Sequence, residues 1–235
     1  MDRNVLLGLL AGVLLVVSMD ARAEDSADML EADPVLQAVV ASTGSLAYHP
    51  DMRFRIEGVR ALERGRRGEA AALFKLAARH ADKPSQAMLA EMYFTGNGVD
   101  QDRARGYAWM DLAAERGWPT FVLIRERYWS ELSEDERARA VTVGHGIYEE
   151  YEDAVAKPRL ERQLRRGRRE STGSRVGGGG NTVVETPSGL YGSGTRAHVF
   201  DRRHWEPDHY WALQDEAWGA PRPERVEVGP LSPTH

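Results

Sequence analysis

The chain has 235 residues, 42% of them hydrophobic, enough for one domain with a sizeable core and a separate tail. Its formal charge of −5 argues against a general nucleic-acid binder, because phosphate contacts need a cationic surface. It contains no cysteine, which excludes disulfides, thiol catalysis, Cys-ligated zinc and a lipidated cysteine at a mature N-terminus.

Residues 1–23 have the layout of a secretory signal peptide. Arg3 supplies the positive start, Val5 to Val17 the apolar run, and Ala21-Arg22-Ala23 a cleavage site before Glu24. The apolar run is short for a membrane span of about 20 residues. Cleavage would leave no transmembrane segment and a periplasmic or secreted bacterial protein. Residues 24–51 are weakly patterned and read as an N-terminal arm or cap. Asp33-Pro34 can start a short helix there, and Ser42-Thr43-Gly44-Ser45 ends it.

Three helical hairpins are expected over 52–156. The first pairs roughly 52–64 with 67–81, turning at Gly65 and Gly68, and Pro84 marks its exit. The second turns at Gly96 and Gly98, with Asp102 placed to cap its second helix. That helix carries Gly106, Met110, Ala113 and Gly117 on one face, small enough for another helix to approach closely. The third starts at Pro119 and runs through Phe121, Ile124 and Tyr128. Its partner opens with a capping box, Ser133 to Glu136, and buries Ala140, Val143, Ile147 and Tyr151.

The hairpins repeat. Ala77-Ala78 recurs as Ala113-Ala114, and at that offset of 36 residues Leu73 meets Trp109, Phe74 meets Met110 and Ala81 meets Gly117. A fixed period in this range is the mark of a helical solenoid. The residues Ala90, Tyr93, Gly96, Gly98, Val99, Asp102, Trp109, Ala113, Ala114 and Gly117 resemble the motif of the Sel-one-like repeat (SLR), a relative of the tetratricopeptide repeat. Met110 stands where that family usually has a second aromatic, and Gly106 where it has an alanine. A glycine inside a helix costs about 1 kcal/mol against alanine, so Gly106 points to a site of tight packing. The resemblance implies an all-α fold, a short right-handed superhelical solenoid of about three helix-turn-helix hairpins, followed by a largely irregular C-terminal tail. It also implies assembly of complexes through a concave groove, with Tyr93, Asn97, Arg103 and Tyr107 near it.

Beyond the repeats the charge separates. Ser130 to Ala156 holds eight acids and two arginines, whereas Lys157 to Arg175 holds eight cations and two acids. Residues 157–170 read as a basic helix that pairs with the acidic one, or the two both face water, or the basic one forms a cationic patch for an anionic envelope partner. Residues 171–195, Gly/Ser-rich with Gly177 to Gly180, read as a linker. The segment 196–218 is rich in aromatics: Trp205, Tyr210, Trp211 and Trp218 are expected to dock, on the solenoid or on a partner. Pro207 lies near a helix start, with Trp211 and Trp218 seven apart on one face. Residues 219–235 read as a disordered Pro-rich tail.

No P-loop, H-E-x-x-H, S-x-x-K or G-x-S-x-G motif is present. His198, Asp201, His204, Asp208 and His209 have spacing that could hold a metal, and His145 between two glycines could act as a base. The blander readings are a polar face beside docked tryptophans and a surface histidine. The chain is therefore expected to be an exported, non-catalytic scaffold or adaptor without cofactor or metal, binding a protein of the cell envelope. The alternatives are a peptidoglycan or glycan binder using the tail tryptophans and, further off, a metal-dependent hydrolase.

Overall fold

A computed structural model describes residues 46–173, 182–185, 191–194 and 202–219. Residues 1–23, expected to be a signal peptide, most of the expected arm, residues 220–235, and the His198 and Asp201 positions lie outside them. The helices, in chain order, are α1 (Pro50–Glu63), α2 (Arg67–Ala78), α3 (Lys83–Thr95), α4 (Arg103–Ala113), α5 (Pro119–Glu131), α6 (Glu134–Tyr151) and α7 (Asp153–Gly173). The short α8 (Arg202–Trp205) and α9 (Pro207–Gly219) follow. Between α7 and α8, β1 (Thr182–Glu185) pairs antiparallel with β2 (Tyr191–Gly194), Thr182 opposite Gly194.

Local chemistry sets the helix ends. Proline at the first turn starts α1, α3 and α5. Asp82 caps α3 by accepting from the Ser85 amide at 3.0 Å, and Asp102 caps α4 through the Arg105 amide at 3.0 Å. Ser133 and Glu136 form a full capping box on α6. Gly96 and Gly98 turn the second hairpin with φ of +77° and +85°. Gly68, expected in the first turn, instead lies inside α2, because Gly65 alone supplies the left-handed residue there.

The repeat extends to backbone geometry. Gly117 ends the second hairpin at φ +70°, and its counterpart one repeat earlier, Ala81, adopts φ +62°. An alanine in this region pays a steric penalty of about 1 kcal/mol, so tertiary contacts must hold it. One of them is Arg116, whose Nη2 donates to the Ala81 carbonyl at 3.0 Å.

The helices stack as a solenoid: α1 on α2, α2 on α3, α3 on α4. A single core runs through them, containing Phe74, Leu89, Met92, Trp109, Met110, Leu112 and Tyr128. Gly106 permits the closest approach. A Cβ there would sit 2.7 Å from the Phe94 nitrogen and 2.9 Å from the Ala90 oxygen, both backbone atoms of α3. The third hairpin departs from the expected form: α5 and α6 both pack mainly on α4, and the two stand apart.

The chain then returns. Leu160 and Leu164 of α7 join Met52 and Ile56 of α1 and Tyr210 of α9 in a second apolar cluster. The segment 202–219 is helical and docks on its own chain. Trp218 stacks on Trp118 at 5.8 Å and on Phe121 at 5.7 Å, while the Trp118 indole donates to Asp215 at 3.0 Å. Trp205 is buried against Tyr48 and His49, over a bare backbone at Gly167.

Candidate interaction clefts on the last repeat

Two clefts flank α6. The first, about 340 Å³, lies towards α2 and α3 and is lined by Lys75, Tyr93, Arg105, Trp109, Ile147 and Glu150 among others. The Arg105 guanidinium covers the Tyr93 ring at 5.3 Å, and Trp109 meets Tyr151 edge-on at 4.8 Å. Charges of both signs line this cleft.

The second cleft, about 440 Å³, is the opening between α5 and α6, with α4 as its floor. Tyr107, Trp129 and Tyr148 form its aromatic walls, and Ala108, Ala140 and Val141 its apolar lining. Tyr107 leans on Trp129 at 4.9 Å. Tyr148 donates to Asp111 at 3.0 Å, and Arg125 stands 3.6 Å from the other oxygen of that carboxylate. Burial and the Asp111 charge push both tyrosine hydroxyls upward in pKa, so they remain hydrogen-bond donors at neutral pH. Val141 is 61% exposed at the cleft. His145 lines the same cleft on an unbroken stretch of α6.

The four residues expected near a groove therefore divide. Tyr93 lines the first cleft and Tyr107 the second. Arg103 is committed to internal ties, reaching the Glu131 carbonyl and Glu136 and covering the Phe94 ring at 5.0 Å. Asn97 sits in the hairpin turn, its amide bonded to the Met92 carbonyl at 3.0 Å.

The tail aromatics, expected to dock on the solenoid or on a partner, pack on their own chain. Trp205, Tyr210 and Trp218 are buried within the chain, where apolar area removed from water holds them. Trp211 is half-buried between Arg116 at 4.8 Å and Lys157 at 5.0 Å, its indole donating to Glu161. These rings offer no open platform for a sugar face. Of the histidines and aspartates considered for a metal, His204 is buried, whereas Asp208 is exposed and His209 is half-exposed beside Glu206 at 3.3 Å. Among the described residues no group of three or more His, Cys, Asp or Glu is placed to hold a metal ion. Likewise, no described helix is long and apolar enough to cross a membrane.

Two buried polar networks escaped the sequence reading. Lys83, fully buried, reaches Glu115 at 2.6 Å, Asp153 at 3.2 Å and the Leu112 carbonyl at 3.0 Å, while Arg116 holds Asp153 at 2.7 Å. This joins α3, α4 and α7 and keeps the Asp153 carboxyl well below its usual range. Under the tail, Arg55 faces Asp82 at 3.4 Å, and Asp51 accepts from Tyr210 beside the buried His49. Only the capping role of Asp82 had a local signal, an aspartate just before Lys83-Pro84. The other partners come from segments far apart in the chain.

The residues of the second hairpin, 83–118, match the family model of the Sel1 repeat. This stretch is a Sel1 repeat. Its hairpin is the α3–α4 pair: Gly96 and Gly98 make the turn, Asp102 caps α4, and Ala90, Trp109, Ala113 and Ala114 are buried in the core. The chain is also similar to part of a crystal structure of c5321, described as a protective antigen present in uropathogenic Escherichia coli strains displaying an SLR fold. The identity is 20% and the TM-score 0.41, covering 62% of this chain and 36% of that one. The chain thus spans about a third of the length of that protein. No curated protein matches it.

Proposed function

We propose that this chain is an exported, non-catalytic adaptor of the cell envelope that binds a protein partner through the cleft between α5 and α6. Sel1 repeats as a class are protein-interaction modules, typically non-catalytic. The observation that carries the reading is the open third hairpin, which leaves an aromatic-walled cleft with Val141 61% exposed beside it. Aromatic walls with a few oriented polar groups fit an apolar side chain of a partner, and such anchors dominate interface energetics.

The test is site-specific photo-crosslinking in intact cells, with the crosslinker at Val141 and, as a control, at the exposed Leu123. A discrete partner adduct at Val141, lost when Tyr107→Ala is added, is the expected result. Equal adducts at both positions, or an adduct indifferent to Tyr107→Ala, would remove the cleft from the account.

A further inference from the structure

The cleft between α5 and α6 carries an unbalanced charge. Among the described residues that line it there is one acid, Asp111, and no lysine or arginine. Asp111 stands a helical turn beyond Tyr107 on the same face of α4. Its Oδ2 accepts from the Tyr148 hydroxyl at 3.0 Å, and its Oδ1 accepts no hydrogen bond among the described residues. Arg125 approaches that oxygen only to 3.6 Å, because its Nε and Nη2 donate to Glu126 at 2.9 and 2.6 Å. Two carboxylates thus share one guanidinium, and one negative charge is left over.

The walls favour the same sign of ligand. Aromatic faces are electron-rich and attract a cation within about 6 Å of the ring centre. Tyr107 and Trp129 meet at 4.9 Å, tilted by 48°. Trp129 already attracts one cation: Arg137, which does not line the cleft, lies 5.1 Å from its ring. Ala140 and the exposed Val141 add apolar surface without charge. A wholly apolar side chain seated here would cover the open Asp111 oxygen and leave it unpaired, which costs free energy. A side chain with an apolar stem and a cationic head uses every wall. Arginine suits it better than lysine, since a guanidinium is planar, stacks on aromatic faces and is more weakly hydrated than an ammonium. We propose that the cleft between α5 and α6 receives an arginine side chain of the partner, its stem on Val141 and Ala140 and its guanidinium on Asp111 beside Tyr107 and Trp129. This rests on the adaptor reading of that cleft: the stem supplies the apolar contact, and the head adds the charge.

The test follows the Trp129 indole N–H of the full chain by NMR during titration with three end-blocked peptides, glycyl-arginyl-glycine and its citrulline and norleucine counterparts. Citrulline keeps the shape of arginine and loses its charge. The arginine peptide should give a saturable shift, and the citrulline peptide should bind about tenfold more weakly. Asp111→Asn keeps an acceptor for Tyr148 and should erase that difference, whereas Asp135→Asn, at the exposed start of α6, should preserve it. Equal binding of arginine and citrulline, tighter binding of norleucine, no shift with any peptide, or a preference that survives Asp111→Asn overturns the arginine anchor. In cells, the adduct at Val141 separates this from the adaptor reading. An adduct lost with Tyr107→Ala but kept with Asp111→Asn supports the adaptor and overturns the arginine anchor; loss with both supports the two together. No adduct in any version removes the adaptor reading, and the peptide titration still decides the site.

Discussion

Replacing Gly106 by alanine sets two effects of known sign against each other. Helix propensity favours alanine by about 1 kcal/mol. Against it, the new Cβ would lie 2.7 Å from the Phe94 nitrogen and 2.9 Å from the Ala90 oxygen and the Phe94 Cα. Ordinary contact between non-bonded heavy atoms is roughly 3.5–4.0 Å. The obstructing atoms are all α3 backbone, so no rotamer change can relieve them. Helix α4 would have to retreat by most of an ångström, loosening the Ala90, Phe94, Ala104 and Ala108 contacts along the hairpin. Overpacking of this kind costs about 1–3 kcal/mol and, at a rigid site, the upper end applies. The net expectation is a loss of about 2 kcal/mol, or roughly 4–8 °C in Tm for a chain of this size. Gly146→Ala is the matched reference, because a Cβ there meets nothing within 4 Å inside the same kind of element. That change should stabilise by about 1 kcal/mol. Urea unfolding of the two variants side by side decides the matter. Should Gly106→Ala stabilise as Gly146→Ala does, α3 and α4 do not approach as described.

Two further outcomes are expected. Trp218→Ala removes a ring stacked on Trp118 and Phe121 and should cost about 3 kcal/mol, with faster hydrogen exchange concentrated in α9; an unchanged melt would mean that the tail contributes nothing to the fold. The pH dependence is a contest between neighbours. Burial and the nearby His204 lower His49 from 6.5 to about 3, so the unfolded chain takes up its proton first and stability falls as pH drops from about 6.5 towards 3. Burial and the nearby Asp82 charge raise Asp51 from 3.8 to about 7, so its contribution is full below about 3.8 and is lost as pH rises towards 7. His49→Phe should therefore flatten the acid-side loss and Asp51→Asn the opposing slope, both read from urea midpoints between about pH 4 and 8. Unaltered slopes in both variants would show that neither group titrates differently on folding.

Local rules made much of the solenoid legible. The Ala77-Ala78 and Ala113-Ala114 repeat, the Gly96-Gly98 turn, the Asp102 cap and the Ser133–Glu136 box each need only a few adjacent residues. Gly106 was legible too, because an unfavourable residue in a helix interior implies a compensating contact. The opening of the third hairpin was hidden, since the 3.6-residue period of α5 and α6 says which face is apolar and not which helix it meets. The tail shows the same limit. Trp211 and Trp218 share a helix, as their spacing indicates, yet one ends between two cations and the other on Trp118. His49, Asp51, Arg55, Asp82 and Tyr210 meet only after the chain has doubled back, and no pattern within any one segment encodes that meeting.

Helical solenoids ordinarily transmit order only between adjacent repeats, so they can fray from either end while the middle persists. Here the last helix touches the first: Tyr210 bonds Asp51 across 159 residues, and Trp118 bonds Asp215 across 97. That clasp turns a linear array into a ring of mutual dependencies, in which neither end can peel away without releasing the other. The unfolding of this chain should then be closer to all-or-none than its repeat architecture alone would allow. A proteolytic nick between α7 and α8 would cut the covalent link while leaving the two ends held by their contacts.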